Sequence, residues 1–185
     1  ATKQDGDWHD PDTWQGGAVP GAGQDTLVRH DLTLASSTEE LASLTVNGGS
    51  ITVSGWNAAI RADDVNLYFG TITHAQQSDV DGSDGWTPDA RIHIQAGDVF
   101  VSPFAEIDAD GKGFLGGRWG DGTQTGRGPG GGYSLAGGSY GGEAGKDGAN
   151  WGGVIASAYG SLFDASLPGS GGGNWKNAAA DSGGA

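Results

Sequence analysis

The chain has 185 residues, of which 35% are hydrophobic, and its formal net charge at pH 7 is -14. It contains no cysteine and no methionine, which excludes disulfides, thiolate metal sites and cysteine nucleophiles. The acidic charge disfavours nucleic acid and anionic membranes as partners, and no apolar run is long enough to insert into a membrane. A solvated acidic face without a ligand is the alternative interpretation of this charge.

Residues 1–36 have the pattern of a cap followed by the first strands. Trp8 and Trp14 lie in a lead-in rich in proline and glycine, and alternating apolar residues follow it. Two indoles packed over the end of a β structure protect its open edge. We therefore expect this segment to close one end of the fold.

The lead-in also resembles a known domain. It is similar to the opening of the eight-glycine domain, which begins many large secreted or cell-surface β-helical proteins. The shared residues are Trp8, Asp10, Pro11, Thr13, Trp14, Gly16, Gly17, Val19, Pro20, Gly21, Gly23 and Asp25. The resemblance implies a secreted or cell-surface protein, a β-rich fold and a carbohydrate-related context, and it implies no catalytic residue.

A repeated pair of strands predicts the architecture of residues 37–110. Two copies of the pair follow one another directly, and a third follows after a polar insertion near residues 75–88, whose removal restores the first period. The copies are Leu44–Val46 with Ser50–Val53, Val65–Leu67 with Thr71–His74, and Val99–Val101 with Glu106–Ala109. Short strands at a constant period of about 20 are typical of a β-solenoid with one turn per repeat.

We therefore predict an all-β fold, a right-handed parallel β-solenoid (β-helix) with an N-terminal cap and glycine-rich loops. A β-sandwich is the alternative, because it also consists of short strands between turns. Helix is expected only as one short turn at residues 37–42, with Ser37 as its cap and Glu40 at the third position of a capping box.

Residues 111–185 contain roughly two thirds of the 38 glycines. Such a density requires close backbone approach, and regularly placed aromatic residues favour an ordered scaffold over a disordered linker. Residues 158–173 resemble a segment of the glycine-rich parallel β-helix region of large bacterial surface proteins. We expect a glycine-rich continuation of the solenoid that is truncated in mid-pattern, with the remaining C-terminal part of the same polypeptide as a partner.

Two Asp-rich stretches predict calcium sites. Asp79, Asp81 and Asp84 alternate with small residues in the insertion, and Asp108 and Asp110 repeat this pattern at the start of the glycine-rich half. Ca²⁺ takes about six to eight oxygen ligands in flexible geometry, which closely spaced carboxylates can supply. The alternative for the insertion is a polar turn loop without a metal.

Three tryptophans beside polar groups in glycine-rich loops predict a glycan-binding surface. Sugar rings present apolar C–H faces that stack on indoles, while carboxylates and amides bind the hydroxyls. The candidate residues are Arg118, Trp119, Asp121, Trp151 and Trp175. The alternative is that these indoles fill the space that the glycines leave empty.

No motif assigns a catalytic residue. The four histidines show no metal-ligand spacing, and no metalloprotease, serine-hydrolase or P-loop motif is present. A polysaccharide lyase needs a base near a cation that neutralises a uronate, and the candidate cations are Arg61, Arg91, Lys112 and Arg118. A glycoside hydrolase needs two facing carboxylates, and the many acidic residues do not single out a pair.

The sequence favours an extracellular, non-catalytic module that binds polysaccharide or a cell-surface glycan, or that serves as a surface scaffold, with Ca²⁺ as a stabilising ion. One alternative is a part of a β-helical carbohydrate-active enzyme, either a polysaccharide lyase or a glycoside hydrolase. Another alternative is a purely structural adhesin or matrix protein. Neither nucleic acid binding nor membrane insertion is expected.

Overall fold

The computed structural model describes residues 1–78, 82–117, 124–145, 153–161, 163 and 166–174. The chain divides into two compact units. Unit 1 comprises residues 1–75 and 90–108, and unit 2 comprises residues 76–89 and 109–185. The polar insertion therefore belongs to the same unit as the glycine-rich half. Within the described residues, no helix has the length and apolar character needed to cross a bilayer.

Unit 1 contains a sheet of seven strands, and every strand pair in it is parallel. The strands are β1 (Gly6–Asp7), β2 (Asp25–Val28), β3 (Leu32–Leu34), β4 (Leu41–Val53), β5 (Ile60–His74), β6 (Ile94–Val101) and β7 (Ala105–Asp108). The order of the hydrogen-bonded strands is β1–β3–β4–β5–β6. In addition, β2 pairs with β4 and β7 pairs with β5, and the sheet does not close. The only helix among the described residues is one 3-10 turn, Pro11–Thr13. The all-β prediction is confirmed, and the parallel pairing excludes an antiparallel β-sandwich.

The register of the sheet follows the repeat found in the sequence. Leu44 of β4 pairs with Val65 of β5, its counterpart in the next copy. Val65 in turn pairs with Val99 of β6, and Ile72 pairs with Ile107 of β7. The offsets predicted from the repeat are therefore confirmed by the pairing of the strands.

Apolar side chains of the paired strands form columns through the core of unit 1. Alternate residues of a strand point to the same face, so the register places like residues on top of one another. One such column contains Val28, Val46 and Leu67, all fully buried, and it ends at Val101 of β6, which is 40% exposed. Burial of one such side chain contributes about 1.5–3 kcal/mol, so these columns are a main source of stability.

Two indoles are buried in the N-terminal segment of unit 1. Trp8 and Trp14 meet edge to face with ring centroids 4.9 Å apart, and the Trp14 indole N–H donates to the Trp8 carbonyl at 2.7 Å. The 3-10 turn between them begins with Pro11, and the Asp10 carboxylate accepts a hydrogen bond from the Asp12 N–H. Proline and a capping carboxylate favour the start of a helical turn, so local sequence fixes the approach of the two rings.

The short helical turn expected at residues 37–42 is wrong. Residues 37–40 have no helical structure, and β4 begins at Leu41. The Ser37 hydroxyl accepts a hydrogen bond from the Ala59 N–H, and the Thr38 hydroxyl accepts one from the Arg61 N–H. Both hydroxyls bind backbone N–H groups of a neighbouring segment, so the capping pattern serves tertiary contacts here.

Unit 2 has no strand within its described residues, and its glycine-rich segments contact one another through the backbone. The backbone hydrogen bonds of segment 169–174 run from Phe114 N to Gly169 O (2.9 Å), Gly132 N to Gly171 O (3.1 Å), Gly117 N to Gly172 O (2.9 Å), Gly171 N to Arg127 O (2.9 Å), Gly173 N to Ala136 O (2.8 Å) and Asn174 N to Gln124 O (3.1 Å). These six bonds connect the segment to residues 114–117, 124–127, 132 and 136. Close backbone approach on several sides of one segment explains why this half of the chain is rich in glycine.

Candidate functional site

Four aromatic side chains are exposed together on unit 1. Tyr68 and Phe69 lie on β5, Phe100 lies on β6, and Phe104 lies in the turn between β6 and β7. Their exposed fractions range from 45% for Tyr68 to 73% for Phe104. We call these four residues the aromatic corner. A contiguous exposed apolar patch marks a binding surface more often than scattered apolar residues do.

The four rings of the aromatic corner form two contacting pairs. Phe69 and Phe104 stack with centroids 5.5 Å apart and an interplanar angle of 16°. Tyr68 and Phe100 lie at the same centroid distance with an angle of 51°. Such pairs contribute about 0.5–1.5 kcal/mol beyond burial. The contacts restrain the rings before a ligand arrives, which lowers the conformational entropy that binding costs.

The β6–β7 turn positions Phe104. Pro103 has a fixed φ of about -65°, which favours a β-turn at this position, and the Ala105 N–H donates to the Ser102 carbonyl at 3.2 Å. The Ser102 hydroxyl donates to the Tyr68 carbonyl at 2.5 Å and accepts from the Phe104 N–H at 3.1 Å. One hydroxyl therefore ties the turn to β5 and holds the most exposed ring of the corner in place.

A glycine in β5 allows the strand to bend beside the aromatic corner. Gly70 has a φ of +117°, and a Cβ at this position would overlap the carbonyl oxygen of Gly49 in β4. Only glycine tolerates both the positive φ and the close approach. Gly70 also pairs with Ala105 of β7, so the bend leaves the preceding residue, Phe69, at the surface beside the β6–β7 turn.

A surface depression of about 340 Å³ adjoins the aromatic corner. Its lining consists of Gly70, Thr71, Pro103, Phe104, Ala105 and Glu106. The Thr71 hydroxyl donates to one carboxylate oxygen of Glu106 at 3.2 Å. The depression therefore places an exposed aromatic ring beside a hydroxyl and a carboxylate that can bind further polar groups.

Two of the candidate cations, Arg61 and Arg91, lie near His93 in unit 1. The Arg91 guanidinium lies over the Trp56 ring, 4.5 Å from its centroid, and its Nε–H donates to the Trp56 carbonyl at 3.1 Å. The Arg61 Nε–H donates to the Gln95 side-chain carbonyl at 3.0 Å. Burial lowers the pKa of His93 from its ordinary value, and the charges of Arg91 and Arg61 lower it further.

The glycan-binding residues predicted from the sequence lie outside the described residues. They are Arg118, Trp119, Asp121, Trp151 and Trp175. Glycan binding by these residues stays a prediction, as does a role of Arg118 as a cation. Lys112 belongs to unit 2, where its backbone carbonyl accepts a hydrogen bond from the Gln77 N–H at 3.4 Å.

The predicted calcium ligands are described only in part. Asp79 and Asp81 lie outside the described residues. One Asp84 oxygen accepts a hydrogen bond from the Thr87 N–H, Asp108 ends β7, and Asp110 belongs to unit 2. Within the described part of the chain, no three His, Asp or Glu side chains form a group that could hold a metal ion. Calcium binding stays a prediction.

Comparisons of the chain with protein-family models, with curated proteins and with solved structures found no match. The resemblance of residues 8–25 to the eight-glycine domain, and that of residues 158–173 to glycine-rich surface proteins, therefore stay predictions. Function has to be inferred from the geometry of the chain itself.

Sequence reasoning did not single out the aromatic corner, although one signal points to it. The step along the chain from Phe69 to Phe104 equals the step between the paired residues Ile72 and Ile107. Residues at the same point of successive repeats stack on one another, so this offset predicts the contact between the two rings. Their exposure is not visible in the sequence, because it depends on what covers the last strands of the sheet.

Proposed function

We propose that this chain is an extracellular, non-catalytic module that binds polysaccharide or a cell-surface glycan. The observation that carries the proposal is the aromatic corner, in which Phe104 stacks on Phe69 and is still 73% exposed. Sugar rings have apolar C–H faces that pack on such a ring. Thr71 and Glu106, which line the adjoining depression, supply the polar groups that sugar hydroxyls require.

We also propose that the sheet of unit 1 belongs to a right-handed parallel β-solenoid. The repeated strand offsets, the parallel pairing and the stacked apolar columns support this architecture, and no helix separates β2 to β7 in the described part of the chain. Crossovers between parallel strands are right-handed in nearly all proteins. In a solenoid, successive turns place like residues side by side, which offers an extended glycan a row of contacts.

A binding role is favoured over hydrolysis by the acidic residues of the depression. Glycoside hydrolases place two carboxyl groups on opposite sides of the scissile bond. Glu106 is the only carboxylate in the described lining of the depression. Within that lining, Glu106 can accept hydrogen bonds from sugar hydroxyls. The lining contains no second carboxylate that could form a hydrolytic pair with Glu106.

The extracellular location rests on the two resemblances found in the sequence. Both point to large secreted or cell-surface proteins, and a strongly acidic surface is compatible with that setting. A surface scaffold, an adhesin or a matrix protein would use the same fold without a specific glycan. A binding experiment separates these roles.

The test is retention of the protein on a panel of insoluble neutral and acidic polysaccharides, followed by analysis of the soluble sugars. We expect retention on at least one polysaccharide without new reducing or unsaturated ends. New ends would reveal an enzyme and contradict the non-catalytic role. The absence of retention on every polysaccharide would contradict glycan binding and leave a scaffold role. Parallel runs with Ca²⁺ and with chelator test whether the ion contributes.

A further inference from the structure

We propose that the outer edges of β6 and β7 bind an extended strand of a partner polypeptide, which continues the sheet of unit 1. The partner strand carries apolar side chains at the positions that face the core and basic side chains at positions that face outward. We call the surface that the two edges form the open end. This inference does not depend on the proposed glycan-binding function.

β6 and β7 both lie at an edge of the sheet. Among the described strands, each of them pairs only with β5, so one side of each has no strand beside it. Such an edge presents backbone N–H and C=O groups that can pair with another chain, and proteins often protect it with proline, lysine or a bulge. β6 and β7 contain neither proline nor lysine, and neither strand has a shift in its register with β5. The open end is therefore suited to the addition of a strand.

Three apolar columns of the core end in exposed side chains at the open end. The members of these columns on β5 are at most 1% exposed, whereas their register partners on β6 and β7 are 40–49% exposed. The exposed members are Val99, Val101 and Ile107. A strand placed against them would remove this apolar surface from water, which stabilises the complex.

The opposite end of the sheet is covered by the chain itself. There β1 pairs with β3, and the Thr2 N–H donates to the Leu27 carbonyl of β2 at 2.9 Å. Trp8 and Trp14 are both buried in the same N-terminal segment. Stacked repeats need such a cover at each end, so the two ends of the sheet differ in what they still require.

The interface between successive strands indicates what fits the open end. β5 meets β4, and β6 meets β5, as parallel strands whose apolar residues coincide at alternate positions. A strand that continues this interface has to be extended and apolar at every second position facing the core. The inference therefore commits to a strand and not to a helix or a globular surface.

The charges at the open end favour a basic partner strand over a second copy of this chain. The charged residues of β6 and β7 are all acidic, namely Asp98, Glu106 and Asp108. Opposite charges on neighbouring strands stabilise a sheet, and like charges destabilise it. Two copies joined at their open ends would bring these acidic residues together, and the net charge of -14 on each copy would add to the repulsion.

The first test uses a synthetic peptide with the sequence of β5 and the changes Asp64→Lys and Thr71→Lys. In the register of the repeat, these two positions lie beside Asp98 and Glu106. We expect the lysine peptide to bind the full chain, as measured by fluorescence anisotropy. A control peptide with Asp64→Glu and Thr71→Glu should bind at least tenfold more weakly. Equal affinities of the two peptides would overturn the choice of a basic strand.

The second test compares two variants of the protein that gain the same negative charge. Val101→Asp places a carboxylate at the end of an apolar column and should weaken binding of the lysine peptide at least tenfold. Val154→Asp changes a valine that is 59% exposed in unit 2 and should leave the affinity unchanged. Equal affinities of both variants and the unaltered protein would mean that the peptide binds the acidic surface without selecting the open end, which contradicts the inference.

A third measurement uses the unaltered protein and does not depend on the folding of variants. The amides of β6 that do not bond to β5 should exchange their hydrogens rapidly, and the lysine peptide should slow this exchange. Slow exchange without the peptide would show that the open end is already covered and that no partner strand is needed. A dimer in sedimentation equilibrium that Val101→Asp dissociates would make a second copy the occupant, against the inference.

Discussion

Gly171 and Gly172 are neighbours in the sequence, yet only one of them has room for a side chain. A Cβ at Gly171 would overlap the backbone of Leu115 and Gly116, whereas a Cβ at Gly172 would lie 3.6 Å from its nearest neighbour, the Ala136 carbonyl oxygen. Glycine content alone does not distinguish these two positions. The packing of the backbone segments around residues 169–174 distinguishes them, because it leaves room for a Cβ at Gly172 and none at Gly171.

The substitution Gly171→Ala should lower the stability of unit 2 by about 2 kcal/mol or more, because a rigid backbone has to move. The control Gly172→Ala should be neutral or slightly stabilising, since alanine restricts the unfolded chain more than glycine does. Urea denaturation of both variants measures the difference. Similar losses in the two variants would contradict the close packing of segment 169–174.

Residue-level patterns also set a limit to what the sequence can predict. Ser37 and Glu40 have the spacing of a capping box, but the Ser37 hydroxyl binds the Ala59 N–H of the next repeat. The spacing of these residues predicts that the hydroxyl accepts a hydrogen bond from a backbone N–H. It does not predict which segment of the chain provides that N–H. In a repeat protein the neighbouring turn competes with local capping, and here the neighbouring turn provides the donor.

At the scale of the element, the position of a residue in its column decides how much it contributes to stability. Ile72 of β5 and Ile107 of β7 are register partners. Ile72 is fully buried between neighbouring strands, whereas Ile107 lies at the end of the column and is 42% exposed. Two isoleucines of the same column, Ile72 and Ile107, therefore have different environments.

We expect Ile72→Ala to lower the free energy of unfolding by about 3 kcal/mol, which is within the range for buried aliphatic residues. Ile107→Ala should cost about half of that or less, because much of its side chain is already in contact with water. Thermal or urea unfolding of the two variants provides the comparison. A cost for Ile107→Ala as large as that for Ile72→Ala would mean that the end of the column is covered.

The repeat makes the strand elements predictable in detail. The offset from Leu44 to Val65 and the offset from Val65 to Val99 are both visible as triplets whose first and third residues are apolar, since stacked turns place like residues in contact. The aromatic corner is harder to find. It depends on the bend at Gly70 and on the turn that Ser102 holds, and neither leaves an apolar period in the sequence.

At the scale of the whole molecule, charge is distributed unevenly along the chain. Acidic and basic residues cancel from Gly111 onward, so the net charge of -14 lies in residues 1–110. The sequence alone shows this distribution. It does not show what the few arginines of the acidic part contact: the Arg61 Nε–H donates to Gln95, its partner in the strand register, and the Arg91 guanidinium lies over the Trp56 ring.

The most direct test of glycan binding at the aromatic corner compares Phe104→Ala with Phe163→Ala. Phe104 stacks on Phe69, whereas Phe163 is 99% exposed and lies in unit 2. For a glycan retained by the unaltered protein, affinity should fall about tenfold, or about 1.4 kcal/mol, in Phe104→Ala. It should not change in Phe163→Ala, and both variants should stay folded, with a slightly lower melting temperature for Phe104→Ala because it loses the ring contact with Phe69. Equal affinities of all three proteins would contradict glycan binding at the aromatic corner.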